Sequence, residues 1–213
     1  SCTVYGDTTE PLIDETTCLN PRSPYGKSKL AVEQVISDIC DADQEMTAIS
    51  LRYFNPVGCH YTGKLGDRTN GKYLNLFPLI CNKILSEAKP FLEVYGIDWP
   101  TIDGTCVRDY IHILDLVDAH ISASDYLLKQ ETPQFTQLNI GTGVGYSVLQ
   151  VARELEKVSG MQLEIVGRPR RAGEAGSAVA DPTEAKRQLD WVAKLSLQDM
   201  CNDSWNWAKS QHS

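Results

Sequence analysis

The chain has 213 residues, 42% hydrophobic and 23% charged, with a formal net charge of -8, an ordinary globular composition. No run of about 18 apolar residues is present to cross a membrane, and no basic region followed by an apolar stretch opens the chain as a secretion signal. The acidity argues against nucleic acid as a partner, because phosphate-backbone affinity rests on clustered Lys and Arg. It leaves open a small phosphorylated ligand, for which a few local arginines suffice. The cysteines at 2, 18, 40, 59, 81, 106 and 201 are odd in number and widely spaced, without a C-x-x-C pair. That pattern fits neither a disulfide framework nor a zinc site. It predicts reduced, mostly buried thiols in a cytoplasmic protein.

Along the chain, strand-like and helix-like segments alternate. Residues 1–5 read as the end of a strand and 24–41 as a helix entered through Pro24. The apolar run from Met46 to Tyr53 has the length of a strand buried in a parallel sheet. Helices are predicted at 73–88, 113–129, 147–159, 182–189 and 196–209, and strands near 92–95, 105–108, 136–140 and 162–166. The alternation argues an α/β fold. Loops 56–72 and 96–104, rich in Gly, Asp, Pro and Thr, have the length of functional loops. A complete doubly wound nucleotide-binding sheet needs more early strands than this chain supplies, so the sequence reads as truncated at its start.

The strongest local signal is Ser23-Pro-Tyr25-Gly-Lys27-Ser-Lys29, which opens the first helix. Tyr25 and Lys29 stand four apart and share one helix face. A free tyrosine, with a pKa near 10, is a poor base at neutral pH. A neighbouring ammonium favours the phenolate, which makes Tyr-x-x-x-Lys a couple able to exchange a proton with a hydroxyl. Taken alone, the pair reads more readily as a capping tyrosine beside a solvated lysine. Val32, Ile36, Ile39 and Cys40 form an apolar stripe further along the same helix, expected to pack in a core. Gly141-Thr-Gly143-Val-Gly145 lacks the final glycine of a dinucleotide loop and reads as a tight strand-to-helix turn. The four histidines are scattered, which argues against a metal site. The tryptophans at 191, 205 and 207 read as helix packing.

Context changes the reading of the Tyr–Lys pair. With Ser1-Cys-Thr-Val-Tyr5-Gly upstream, the arrangement resembles the S…Y-x-x-x-K set of the extended short-chain dehydrogenase/reductase superfamily. Leu51-Arg-Tyr-Phe-Asn-Pro-Val-Gly58, Asp103-Gly-Thr-Cys-Val-Arg108-Asp-Tyr-Ile-His112, Leu138-Asn-Ile-Gly-Thr-Gly143 and Pro169-Arg-Arg171-Ala-Gly-Glu174 narrow it to a resemblance to UDP-galactose 4-epimerases, running from residue 1 to about 209. The resemblance implies the C-terminal part of a Rossmann-type doubly wound parallel sheet plus a smaller mixed α/β substrate domain. Residues 1–57 would be the remnant of the dinucleotide-binding domain and 58–213 mainly the UDP-sugar domain, with about 105–130 returning to the first. It implies interconversion of UDP-galactose and UDP-glucose through a transient 4-keto sugar, with NAD as cofactor and a homodimer using the first helix. The N-terminal half needed for NAD binding would be missing.

By residue-wise match, Tyr25 would be the acid/base, Lys29 would assist it and hold the nicotinamide ribose, and Ser1 would hydrogen-bond the reacting oxygen. Tyr53 matches a position near the nicotinamide. Asn55, Asn75, Leu76, Tyr95, Arg108, Arg171 and Glu174 match substrate positions. Arg108 and Arg171 would grip the diphosphate, a task suited to a planar two-pronged donor. The competing readings are an Arg108 pair with Asp103 or Asp109, and a solvated Arg171 beside Arg168 and Arg170. Where the family carries a pocket gatekeeper, this chain has the small Ala178, which implies room for N-acetylated UDP-hexoses. A dehydratase or decarboxylating enzyme of the same superfamily, and a non-enzymatic remnant, stay as alternatives. The absence of acidic residues in Ser1-Cys2-Thr3 favours the epimerase over the dehydratase.

Overall fold

The computed structural model describes residues 1–8, 10–43, 45–68, 73, 75–171 and 173–212. Its first helix, α1 (Pro24–Ala42), begins where capping chemistry puts it. Pro24 opens the helix, and the Ser23 hydroxyl accepts the Gly26 N–H at 3.0 Å. Strand β1 (Ala48–Tyr53) follows, then β2 (Asn55–Val57), α2 (Leu76–Ser86), β3 (Phe91–Tyr95), β4 (Val107–His112) and α3 (Ile113–Leu127). The chain continues through β5 (Phe135–Ile140), β6 (Gly145–Ser147), α4 (Val148–Ser159), β7 (Glu164–Arg168), β8 (Ser177–Ala178), α5 (Thr183–Leu189) and α6 (Leu197–His212). The architecture is mixed α/β, built on parallel strand pairs.

Three sheets organise it. β1 and β5 pair in parallel from Ala48↔Phe135 to Tyr53↔Ile140. β4 is the hub of a second sheet: it pairs in parallel with β2 and β8 and antiparallel with β6. β3 and β7 form a separate parallel ribbon. Helices α3 and α5 cover the β1–β5 pair over a core that includes Ile111, Leu116, Leu138, Ile140, Leu189 and Trp191. Helices α2, α4 and α6 enclose a second core around Phe77, Ile80, Leu92, Leu155 and Met200. A third, smaller core joins Val4, Tyr5 and Ile13 to Phe54 and Ala180.

Several expectations are corrected. Residues 2–4 form a 3-10 turn rather than a strand end, because the Val4 and Tyr5 N–H groups bond back to the Ser1 and Cys2 carbonyls. Short strands β2, β6 and β8 carry too little periodic pattern to be read from sequence. β6 intervenes between the Gly141–Gly145 loop and α4, so that loop does not pass directly into a helix. The expected strands near 105–108 and 162–166 run over Val107–His112 and Glu164–Arg168. α2 starts at Leu76 and ends at Ser86, and position 74 of the expected helix lies outside the described residues, as do 69–72 of the predicted loop and 172 of the arginine motif. The stripe on α1 is not core: Val32 and Ile39 are 54% and 44% exposed and only Cys40 is buried.

All seven cysteines are free, and Cys40, Cys59, Cys81, Cys106 and Cys201 are buried. Burial pushes the Cys59 and Cys81 thiols up to about 11 and about 12, which keeps them protonated and inert. No helix of the described residues is long and apolar enough to cross a membrane.

Candidate functional site

Tyr25 sits in the first turn of α1 with its side chain open to solvent, and the Lys29 ammonium lies 5.2 Å from its ring centroid. The i,i+4 spacing therefore does bring the two side chains together. Their helix reaches the rest of the site through Gly26, where an added Cβ would lie 2.6 Å from the Thr3 carbonyl oxygen. A larger residue would push α1 off the turn that carries Ser1. The Ser1 hydroxyl pairs with Thr3 Oγ1 at 3.0 Å, close beside α1. Cys2 and Val4 pack in the small core with Ala178 and Ala180, so this one turn lies against α1 on one side and the β8 segment on the other.

Tyr53 ends β1, and its hydroxyl meets His120 Nε2 of α3 at 2.9 Å. Set aside as one of four scattered histidines, His120 holds the one predicted cofactor residue on β1. No sequence spacing signals a contact across 67 residues.

On the substrate side, β4 places Arg108 directly across from Ala178 of β8 and from Tyr146 of β6. The carboxylates proposed as its internal partners are engaged elsewhere. Asp103 accepts from Thr105 and Ser147; burial disfavours its charge, but these hydrogen bonds win and hold it below the usual range. Asp109, fully buried, accepts the backbone N–H groups of Thr142, Gly143 and Ala180 together with the Thr142 hydroxyl. The glycine loop thus turns around its own internal carboxylate, with Gly143 at φ +76°. The N–H groups that would cradle a phosphate in a dinucleotide loop are spent on Asp109. Arg108 donates to the Val107 carbonyl at 2.8 Å and also interacts with the neighbouring Cys106 thiol.

The second arginine belongs to a ladder along the β3–β7 ribbon. Arg168 pairs with Glu93 at 2.7 Å, and Arg170 with Asp98 at 2.7 Å while lying over Trp99. Arg171 lies 3.9 Å over the Tyr95 ring and 3.6 Å from Glu174. Tyr95, Arg171 and Glu174 therefore form one cluster, with the Arg171 side chain 58% exposed to solvent. The Cys106 thiol feels Arg108 and Glu174 alike, which ties the two arginine sites to one neighbourhood.

Asn55 opens β2 opposite Tyr110, and Asn75 is the N-cap of α2 without a side-chain cap bond. Leu76 packs on the larger core. Asn75 is the sole predicted residue on a cavity of about 820 Å³ walled by residues 56–60, α2, the start of α3 and α6. The other predicted groups lie outside that cavity's lining.

Comparison with known proteins gives this geometry a context. The sequence profile of the family described as GDP-mannose 4,6 dehydratase matches residues 1–204. A UDP-glucose 4-epimerase of Drosophila melanogaster is 43% identical over 208 residues, covering 97% of this chain and 59% of that protein. One from Bacillus subtilis (strain 168) is 42% identical over 210 residues, covering 99% and 61%. Among solved structures, UDP-glucose 4-epimerase from Stenotrophomonas maltophila with bound NAD and formylated UDP-arabinopyranose superposes with a TM-score of 0.94 at 39% identity, over 100% of this chain and 62% of that one. The Bifidobacterium longum enzyme in complex with NAD+ and UDP gives 0.92 at 40% identity, covering 100% and 62%. The chain thus spans about three fifths of the length of these relatives.

Proposed function

Since the chain belongs to the family described as GDP-mannose 4,6 dehydratase, we propose that it is the catalytic and substrate-binding part of a UDP-glucose 4-epimerase. The reaction would interconvert UDP-galactose and UDP-glucose through a transient 4-keto sugar, placing the protein in galactose metabolism. One observation carries the reading. The Tyr25–Lys29 pair on α1 packs beside the turn at Ser1–Val4, and that turn, far away in sequence, shares a small core with Ala178, which stands across from Arg108 on β8. The dehydratase reading draws on the family's description, but the relatives at 42–43% identity are epimerases.

The residues present fit NAD at the C-terminal end of β1. Tyr25 and Lys29 are exposed, Tyr53 ends β1, and β1 pairs with no strand on its second edge among the described residues. Lys29 and Tyr53 would hold the nicotinamide ribose and ring. NAD supplies a hydride acceptor and donor for C4 of the sugar. Tyr25 takes the O4 proton and returns it, with Lys29 favouring the phenolate. Ser1 donates to the reacting oxygen. Arg108 and Arg171 bind the diphosphate in charge-assisted pairs, Tyr95 stacks on the uracil and Glu174 reaches the ribose. Asn55, Asn75 and Leu76 complete the wall. Ala178, in register with Arg108, leaves room for an N-acetyl group, so UDP-GalNAc and UDP-GlcNAc belong to the expected substrates.

Residues 1–57 and about 105–130 would pack with a dinucleotide-binding half upstream, an assignment supported by α3 lying on the β1–β5 pair. The exposed Val32, Val35 and Ile39 of α1 suit a homodimer interface, and the free thiols suit the cytoplasm. The test is to assay UDP-galactose conversion by the chain joined to the NAD-binding half of a relative, beside residues 1–213 alone. The joined protein is expected to hold NAD and turn over, and the chain alone to do neither. A joined protein that folds and binds NAD without converting UDP-galactose overturns the proposal.

A further inference from the structure

Four positions beyond Lys29, α1 carries a glutamate, Glu33. Each four-residue step turns about 40° around a helix. Tyr25 and Lys29 accordingly face solvent, while Glu33, 7% exposed, faces the sheet. There Arg52 of β1, 3% exposed, grips both carboxylate oxygens: Nη2 donates to Oε2 at 2.7 Å, and Nε donates to Oε1 and Oε2 at 3.1 and 3.2 Å. Ser50 adds a hydroxyl at 3.0 Å. The remaining guanidinium prong donates to the Tyr5 hydroxyl at 2.9 Å, which itself donates to Asn139 of β5 at 2.6 Å. The network joins the helix, both strands of its sheet and the turn before Gly6.

Glu33 also stands at i+4 from Lys29, the spacing at which helical carboxylates and ammonium groups pair. The Lys29 ammonium nonetheless contacts the Tyr25 ring and forms no ion pair among the described residues. The cations beside Glu33 are Arg52, in contact with it, and Lys29, one helical turn earlier on α1.

We propose that Arg52 is a positioning residue that sequesters the Glu33 carboxylate against β1, so that the field of the Lys29 ammonium acts on Tyr25 without an opposing carboxylate. A carboxylate gripped on both oxygens by a planar fork has no acceptor turned toward the helix neighbour above it. Freed from Arg52, Glu33 has Lys29 at i,i+4 spacing on α1, and an ion pair there would offset the field with which the ammonium favours the phenolate. The consequence for catalysis rests on the proposed role of Tyr25 and Lys29. The charge sequestration itself does not, and it is read without turnover.

The experiment is competitive labelling of the 213-residue chain with an amine-reactive reagent. The extent of modification at Lys29 is taken relative to the exposed Lys27 by fragment mass spectrometry. In R52M, Lys29 is expected to react about twofold more slowly relative to Lys27, the size of an i,i+4 ion pair. In E33Q and in E33Q/R52M the ratio returns to that of the unsubstituted chain. A merely structural Arg52 would leave the two Arg52 variants alike. If R52M does not fold, R52K, which retains a charge without the fork, is expected to show the same slowing. An unchanged ratio in R52M or R52K, slowing that persists in E33Q/R52M, or faster Lys29 labelling in E33Q would overturn the proposal.

Discussion

The Arg171 guanidinium rests on the face of Tyr95, 3.9 Å from the ring centroid, with Glu174 on its other side at 3.6 Å. A cation already stacked on an aromatic ring sits where a nucleotide can use both groups at once, the ring for the base and the fork for phosphate. Arg171→Ala is therefore expected to weaken UDP binding about 10- to 100-fold, the loss of one or two charge-assisted hydrogen bonds. Tyr95→Ala should weaken it less steeply. Calorimetric titration with UDP measures both, and equal affinities across the three proteins would place the nucleotide elsewhere.

Tyr25 offers a second test. Its hydroxyl is asked for proton transfer and not for holding the sugar, so Tyr25→Phe in the NAD-competent protein should lower kcat by about 10²- to 10⁴-fold. KM for UDP-galactose should stay within a few-fold. A large rise in KM with kcat unchanged would show Tyr25 to be a binding residue.

A third concerns Ala178 and the width of the pocket. Because it stands in register with Arg108, a larger side chain there projects beside the diphosphate arginine. Ala178→Tyr is expected to abolish turnover of UDP-GlcNAc in the NAD-competent protein while UDP-galactose turnover survives. Failure of the unsubstituted protein to convert UDP-GlcNAc would refute the wide-pocket reading.

His112 makes stability depend on pH. The fully buried ring accepts the Leu114 N–H at Nδ1, 3.1 Å away, and lies 3.2 Å from Asp203 through Nε2. That pattern requires a neutral ring with its proton on Nε2, because protonating Nδ1 would cost α3 its cap. Burial holds the imidazole below its ordinary value, with Asp203 working against it. The unfolded chain therefore takes up the proton first, near pH 6.5. The stabilisation is complete above that pH and is lost as pH falls, at no more than about 1.4 kcal/mol per pH unit. Urea denaturation at pH 7.5 and 5.5 should show the fall, and His112→Asn, which can still cap α3, should flatten it. Parallel slopes in the two proteins would assign the effect to other groups.

The same ring sets a limit on Gly58. At φ +81°, with an added Cβ 2.7 Å from two atoms of the His112 ring, this position combines a left-handed backbone with a close approach. Gly58→Ala should destabilise the chain by roughly 2–4 kcal/mol, from backbone strain and overpacking together. A chemical denaturation curve measures it, and a change under about 0.5 kcal/mol would mean that the ring yields easily.

What the amino-acid sequence determined alone is what short-range physics controls. Ser23 and Pro24 place the start of α1, and the four-residue step from Tyr25 to Lys29 pairs them on one face whatever the rest of the chain does. The apolar runs marked β1 and β5, and motif order along the chain pointed to the family later matched over residues 1–204. Tertiary structure decided the rest, because the contacts concerned join residues with no local signal between them. Arg52 meets Glu33 across 19 positions, Asp109 folds the glycine loop from 33 and 34 positions away, and Tyr5 reaches Asn139 across 134. Residues Cys2–Val4 suit a strand end as well as a turn by composition, and only the backbone hydrogen bonds of the folded chain make them a 3-10 turn. The stripe on α1 looked like core because periodicity marks an apolar face without saying what covers it. A buried charge, unlike an apolar face, needs a particular partner, and only the folded chain shows that Arg52 supplies it for Glu33.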